Sequence, residues 1–325
     1  MIARYLLNYP FLVDLLWLVV VPLLFVGIGC LFRKKFRKIR MVLYCLAGLT
    51  MVAYLYGKYV GARQLEVCTL ELSFPDLPEA FDGYRIVQLS DLHAGSIDGD
   101  FLRRVVDSVN AQHPDLIVFT GDMQNTEPSE LDSVTVLPQL RRLKAKNGVC
   151  AVLGNHDYGD YTFYDEMTKD SNKGLLMTLM QDMDWYVLTN YRRFIRRDGQ
   201  RIVIAGMEND GEGNSPQLGD VQMALYGAKR KDFVVMLEHD PTSWRRNILR
   251  HCHAQLTLSG HTHGGQFAIF GWTPASLRFR ECKGLYEIGG RYIYVSKGLS
   301  GGIPVRIGVT PEVVVINLRK SKQSS

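Results

Sequence analysis

Five short polar clusters each follow an apolar run: Asp91 with His93, Asp122, Asn155 with His156 and Asp157, His239, and His261 with His263. Two histidines one residue apart, at the mouth of a strand, can point into one space if the strand ends in a turn between them. Gly260, Gly264 and Gly265 flank this pair and let other groups approach the backbone closely. Imidazole suits Zn, Mn, Fe and Ni, and a carboxylate has two oxygens to share between ions. Taken singly, each cluster has an ordinary reading. Asp91 would cap a turn, Asn155 would sit in one, and His239 would be a hydrogen-bonded core histidine. Repeated five times in the same placement, the pattern points to a metal centre.

The elements that must position these residues alternate in type. Strand patterns cover 65–74, 85–89, 116–120, 148–153, 233–237 and 255–258, and a hairpin covers 191–195 with 201–205. Helical spacing covers 101–109, 131–143 and 161–182, and further strands fall near 285–288, 292–295 and 313–318. Strands alternating with helices, followed by a β-rich second half, predict an α/β sandwich with two sheets. In such sheets, sites form beyond the carboxyl ends of the strands, where all five clusters lie. Three other histidines, His113, His251 and His253, read as surface residues.

The net charge of +5 is concentrated at one end. Residues 1–40 hold seven Lys or Arg against Asp14 alone, a balance of +6 that leaves −1 for the remainder. A domain without a basic excess is not read as a nucleic-acid binder. The segment from Leu15 to Phe32 is uncharged and, with Pro10 to Val13, long enough to cross a bilayer. Met41 to Gly57 is a second such segment, with Lys58 placed to snorkel. The spans run over about 11–32 and 41–60, and Asp14 is expected near the interface. Between them stands Arg33-Lys34-Lys35-Phe36-Arg37-Lys38-Ile39-Arg40. The positive-inside rule puts that turn in the cytoplasm and both chain ends on the other side. Residues 1–62 are therefore read as a membrane hairpin, 63–319 as the site-bearing domain, and 320–325 as a polar tail. Six scattered cysteines form no CxxC pair and no dense framework.

The blocks Asp91-Leu92-His93, Gly121-Asp122, Gly154-Asn155-His156-Asp157, His239 and Gly260-His261-Thr262-His263 resemble, in order, those of the calcineurin-like metallophosphoesterase superfamily. The resemblance extends over about residues 65–319. Leu89-Ser90-Asp91-Leu92-His93 together with Gly264-Gly265-Gln266 is similar to the membrane-anchored bacterial subgroup. There are two departures. Glu238 stands where a small residue usually precedes the fourth block, and Glu208 to Gly213 is unusually acidic.

The resemblance implies a four-layer α/β/β/α sandwich behind two transmembrane helices, and two divalent ions, with Mn, Fe or Zn expected. Asp91, His93 and His263 would hold one ion. Asn155, His239 and His261 would hold the other, and Asp122 would bridge them. A metal-bridging hydroxide would attack phosphorus, His156 would stabilise the phosphoryl oxygens or protonate the leaving group, and Asp157 would orient His156. For Asp157 a turn or helix cap is an equal reading. The implied partners are the lipid bilayer and a phosphoester, either phosphodiester or pyrophosphate, of lipid-linked molecules such as UDP-2,3-diacylglucosamine. That example lies on the cytoplasmic side, whereas the charge rule puts this domain outside. The alternative is a metal-stabilised binding module at the membrane surface without catalysis. The aromatic stretch from Phe267 to Arg280 is read as a packed turn region near the sheet, with docking on a membrane as its other reading.

Overall fold

A computed structural model describes residues 9, 11–32, 34–213 and 215–321. Pro10 and Arg33 of the expected hairpin, and residues 322–325 of the tail, lie outside the described residues. The first described elements are two apolar helices, α1 (Phe11–Leu31) and α2 (Arg37–Tyr59). The second begins within the basic stretch, so Arg37, Lys38 and Arg40 belong to its first turn. Asp14 of α1 accepts hydrogen bonds from Tyr54 Oη at 2.6 Å and Lys58 Nζ at 2.5 Å of α2. The helices are thus antiparallel, with Asp14 and Lys58 paired at the end opposite the basic turn. An acid and a base that would each be costly in an apolar layer cover one another.

Beyond the hairpin come β1 (Glu66–Phe74), β2 (Arg85–Leu89), α3 (Gly99–Ala111), β3 (Leu116–Thr120), α4 (Val136–Leu140), β4 (Val149–Val152), α5 (Glu166–Gln181) and β5 (Trp185–Val187). There follow β6 (Tyr191–Arg197), β7 (Gln200–Gly206), α6 (Val221–Ala224), β8 (Phe233–Leu237), β9 (Leu256–Ser259), β10 (Gly284–Ile288), β11 (Arg291–Val295) and β12 (Glu312–Lys320). One sheet has the order β1-β12-β2-β3-β4-β5 and the other β10-β11-β9-β8-β7-β6. β2, β3, β4 and β5 are mutually parallel, as are β7, β8, β9 and β11.

Three cores separate four layers. Leu116, Val118, Cys150, Val152, Ile204, Val235 and Leu258 fill the space between the sheets. Phe101, Val105, Leu140, Leu176 and Met180 pack α3, α4 and α5 on the outer face of the first sheet. Val221, Ala224, Trp244 and Ile248 cover the outer face of the second. Strands buried on both faces read as unbroken apolar runs, which is why β3 and β8 are legible as strands but not assignable to a face.

The helix expected over 131–143 shortens to the five residues of α4. The Asp132 carboxylate accepts from the backbone N–H of Val134 and Thr135, closing a turn that competes with helix, and Pro138 adds no donor. β12 extends to Lys320, so the polar tail begins one residue later than expected. It inserts between β1 and β2, parallel to the first and antiparallel to the second. The short strand β5 was not expected from the sequence.

Candidate metal centre

The carboxyl ends of β2, β3, β4, β8 and β9 bring seven side chains to one place. Ligand-capable atoms of Asp91, His93, Asp122 and His263 all lie within 4.8 Å of one another. His93 Nε2 is 3.6 Å from Asp122 Oδ2, and His263 Nε2 is 3.7 Å from Asp91 Oδ1. Beside them, the Asn155 side-chain oxygen is 3.1 Å from His239 Nε2 and 2.7 Å from His261 Nδ1. Asp122 Oδ2 is 3.2 Å from His239 Nε2, so one oxygen faces both groups. The other, Oδ1, accepts from the backbone N–H of His156 at 2.9 Å.

The backbone is bent to achieve this. Asp91, His93, Asp122, His261 and His263 all have positive φ, between 49° and 73°. Such residues are uncommon outside glycine and persist where the surroundings over-determine them. Gly154 and Gly260 make room: a Cβ at the first would meet Asp122 Oδ1 at 2.2 Å, and one at the second Asp91 Oδ2 at 2.4 Å.

Each imidazole is oriented through its other nitrogen. His93 Nδ1 lies 2.8 Å from Asn125 Oδ1, His239 Nδ1 2.7 Å from the Thr120 carbonyl, and His263 Nδ1 3.1 Å from the Ser300 carbonyl. For His93 and His263 this directs Nε2 into the site as a lone-pair donor, whereas His239 Nε2 faces Asp122 Oδ2 and Asn155 Oδ1. His93 Nε2 is buried and has no hydrogen-bond partner. A buried orphan nitrogen facing carboxylates, with imidazoles converging on one amide oxygen, fits a metal better than it fits a hydrogen-bond network.

Burial, and then the neighbouring His156, lower His93 to about 3, so its imidazole is neutral. Burial holds His263 well below the usual histidine range. Burial also opposes charge on His239, but the adjacent Asp122 carboxylate outweighs it and raises that imidazole to about 10. Without metal, His239 therefore keeps a proton shared with Asp122, and a bound cation must displace it.

Two of the expected roles separate here. His156 Nδ1 lies 2.8 Å from the Asn125 carbonyl, and its ring stacks on Tyr161 at 4.1 Å. Asp157 does not touch the imidazole. Its oxygens accept from four backbone N–H groups: Asp122 at 3.0 Å, Met123 at 2.9 Å, Gln124 at 3.2 Å and Gly154 at 2.9 Å. Of the two readings of Asp157, these contacts are those of a cap: Asp157 ties the loop after β3 to the loop after β4. A carboxylate that fully satisfies four buried donors has no oxygen to spare for a ring. Asp157→Asn places an amide N–H₂ against those donors and should lower stability by about 2–4 kcal/mol, with loss of bound metal. Thermal melts and metal content check this. Had Asp157 tuned His156, turnover would fall at unchanged stability and metal content.

The structure also shows supporting residues that spacing did not reveal. Glu130 gathers the N–H groups of Gly95 at 3.0 Å, Asn125 at 2.6 Å and Thr126 at 2.8 Å, holding Asn125 under both His93 and His156. Asp240 Oδ2 lies 3.6 Å from His261 Nε2. Arg306, fully buried, donates to the carbonyls of His263 at 2.8 Å, Lys297 at 2.7 Å and Ser300. No local pattern marks an arginine 43 residues from His263 as its support. Glu238, one of the two departures, is buried and accepts from the N–H groups of Asp210 at 3.0 Å and Asp240 at 3.1 Å, binding the acidic loop to the strand end.

Two face-to-face sheets with a cluster of metal-ligating side chains at their strand ends are the architecture of a metal-dependent phosphoesterase. Residues 84–265 match the family model for the calcineurin-like phosphoesterases, and the chain belongs to that family. It is 30% identical over 276 residues to the metallophosphoesterase YkuE of Bacillus subtilis, covering 82% of this chain and 90% of that one. It is 31% identical over 285 residues to a zebrafish transmembrane protein with a metallophosphoesterase domain, covering 84% of this chain but 62% of that protein. Among solved structures, the phosphopantetheinyl hydrolase of Mycobacterium tuberculosis aligns with TM-score 0.42 and 12% identity over 67% of this chain and 91% of that one. With its two apolar helices and its transmembrane relatives, the protein is membrane-associated.

Proposed function

We propose that the protein is a membrane-anchored hydrolase of phosphodiester or pyrophosphate bonds, lipid-linked substrates included, that works with two divalent ions. The observation that carries this reading is the position of Asp122 Oδ2, 3.6 Å from His93 Nε2 on one side and 3.2 Å from His239 Nε2 on the other. Asp91, His93 and His263 would hold one ion, Asn155, His239 and His261 the second, and Asp122 both. Two such ions supply positive charge to a phosphate and lower the pKa of a bound water towards neutrality.

The chain's own residues do the remainder. His156, with Nδ1 committed to the Asn125 carbonyl, offers Nε2 at the rim of the site, where it can donate to a phosphoryl oxygen or to the departing alkoxide. Stacking on Tyr161 holds the ring in plane, and the Tyr161 hydroxyl accepts from Asn155 Nδ2 at 3.0 Å, which turns the amide oxygen towards His239 and His261. Phe279, with its ring 5.4 Å from His261, screens that side from water.

Purified full-length protein, stripped and then supplied with Mn, Fe or Zn in turn, should retain divalent ion and hydrolyse bis(p-nitrophenyl) phosphate. Metal analysis returning only traces after all three would overturn the proposal. Metal uptake without turnover on any phosphodiester or pyrophosphate tested would leave a binding module in its place.

A further inference from the structure

The segment after His263 is not the packed turn region expected from its composition. Ile269 and Trp272 exchange backbone hydrogen bonds, both 3.0 Å, around the two-residue turn Phe270-Gly271. Both turn residues have positive φ, 49° and 82°. This geometry favours Asn or Gly at its first position, and an aromatic there is strained. Phe270 is nevertheless fully exposed, at 105% of its reference area, with Leu277 at 80%, Trp272 at 55% and Ile269 at 53%. Four large apolar side chains therefore project from one loop, one of them from a backbone that disfavours it. Between Gln266 and Arg280 there is no acid, while Arg278 and Arg280 are exposed.

The loop is fastened to the end of the hairpin. Ala268 N–H donates to the Ile307 carbonyl at 2.8 Å, and Ile307 N–H to the Gln266 carbonyl at 2.9 Å. One residue away, Arg306 N–H donates to the Gly57 carbonyl of α2 at 3.1 Å. A Cβ at Gly57 would meet Val305 and Ile307 side chains at 2.8 Å, and one at Gly61 the Arg306 carbonyl at 1.9 Å, so this junction is close-packed. Arg63 adds an ion pair to Asp98 at 2.9 Å. The end of α2 is thus docked on the domain rather than joined by a free linker. The exposed tip begins two residues beyond Phe267, which pairs with Ile307.

We propose that the loop Gln266–Arg280 is a second membrane-contact element. It seats Ile269, Phe270, Trp272 and Leu277 in the interfacial layer of the bilayer crossed by α1 and α2, with Arg278 and Arg280 on anionic headgroup phosphates. Aromatic rings favour that layer, and basic side chains beside them add attraction to anionic lipid. Phe279 of the same loop lies against His261, so seating the loop brings the rim of the metal centre to the headgroups. The proposal rests on the reading of α1 and α2 as membrane spans. It explains why a strained turn displays an aromatic beside the hairpin end.

The chain has four tryptophans. Trp185 and Trp244 are buried, and Trp17 lies in α1. Full-length Trp17→Phe is placed in phosphatidylcholine–phosphatidylglycerol vesicles with plain or brominated acyl chains and compared with Trp17→Phe/Trp272→Phe. The difference emission belongs to Trp272. It should be blue-shifted and at least about twofold weaker in brominated lipid, as expected for an interfacial ring. Replacing Phe270 and Leu277 by Ser should return it to the water-exposed position. Equal, water-exposed emission in both lipids would overturn the proposal. A blue shift without bromine quenching would also overturn it, in favour of a protein occupant. Trp17, read in the Trp272→Phe variant, tests the hairpin separately: if brominated lipid does not quench it, the spans and the loop proposal fail together. None of these readings depends on turnover.

Discussion

Asp122→Ala should leave the purified protein almost without divalent metal and without measurable phosphodiesterase activity, whereas His156→Ala should keep its metal and lose turnover by a factor of about 10²–10⁴. The contrast follows from where the two side chains point. Asp122 Oδ2 stands between His93 and His239, and the deletion leaves His239, which Asp122 raises to about 10, without its counter-charge in a fully buried site. On the proposed two-ion reading, both positions would lose a ligand at once. The same deletion frees the His156 backbone N–H that Asp122 Oδ1 accepts, so the loop carrying Asn155 loosens as well. His156, in contrast, has its Nδ1 on the Asn125 carbonyl and its ring stacked on Tyr161. On the proposed reading, its loss should remove proton donation at the rim and leave the ligand set in place. Metal content by elemental analysis, alongside kcat on an aryl phosphodiester, decides the matter. Equal metal loss in both variants would refute this division of roles.

A reporter active only outside the cytoplasm, fused after Ser325, should function, and one active only inside should not. Six Lys or Arg occupy the eight positions from Arg33 to Arg40, between two uncharged spans. Each such charge at a bilayer centre opposes insertion by about 2.5–3.5 kcal/mol, so the turn stays on the side where it is made. Asp14 pairs with Lys58 at the end of the hairpin opposite the basic turn, so if both helices span, the domain docked on α2 would lie across the membrane from that turn. Exchanging the basic residues for Ser or Gln should scramble the two reporters. Activity of the inside-only reporter on the unaltered chain would reverse the orientation and make a cytoplasmic nucleotide-linked lipid the leading substrate.

Much of the fold and of the ligand set is legible in the sequence because both repeat. An apolar run ending in Asp, Asn or His recurs five times, and each recurrence reduces the chance of coincidence. Where a signal is single, reading is poorer. The pattern over 131–143 has helical spacing, yet the local Asx turn at Asp132 prevails over it. Asp157 follows His156 directly, so the sequence leaves orienting the ring and capping a turn as equal readings, and only the fold shows its four N–H partners from two different loops. The aromatic run from Phe267 looks like core material, and nothing local reveals that Ile269, Phe270, Trp272 and Leu277 stand exposed.

By itself, then, the sequence determined which residues can bind metal, that they sit at strand ends, and that an apolar hairpin with a basic turn precedes them. These depend on residue type and period, which are local. Only the tertiary structure decided the distances at which these side chains meet, since those depend on which strand ends the two sheets bring face to face. It also decided the left-handed backbone at Asp91, His93, Asp122, His261 and His263, which is strained and stands only because the packed loops around it leave no alternative. The supports Asn125 and Arg306, and Glu130 where it reaches Gly95, fall in the same class: each acts through a backbone or ring atom distant in sequence, and such pairing is fixed by chain folding rather than by spacing.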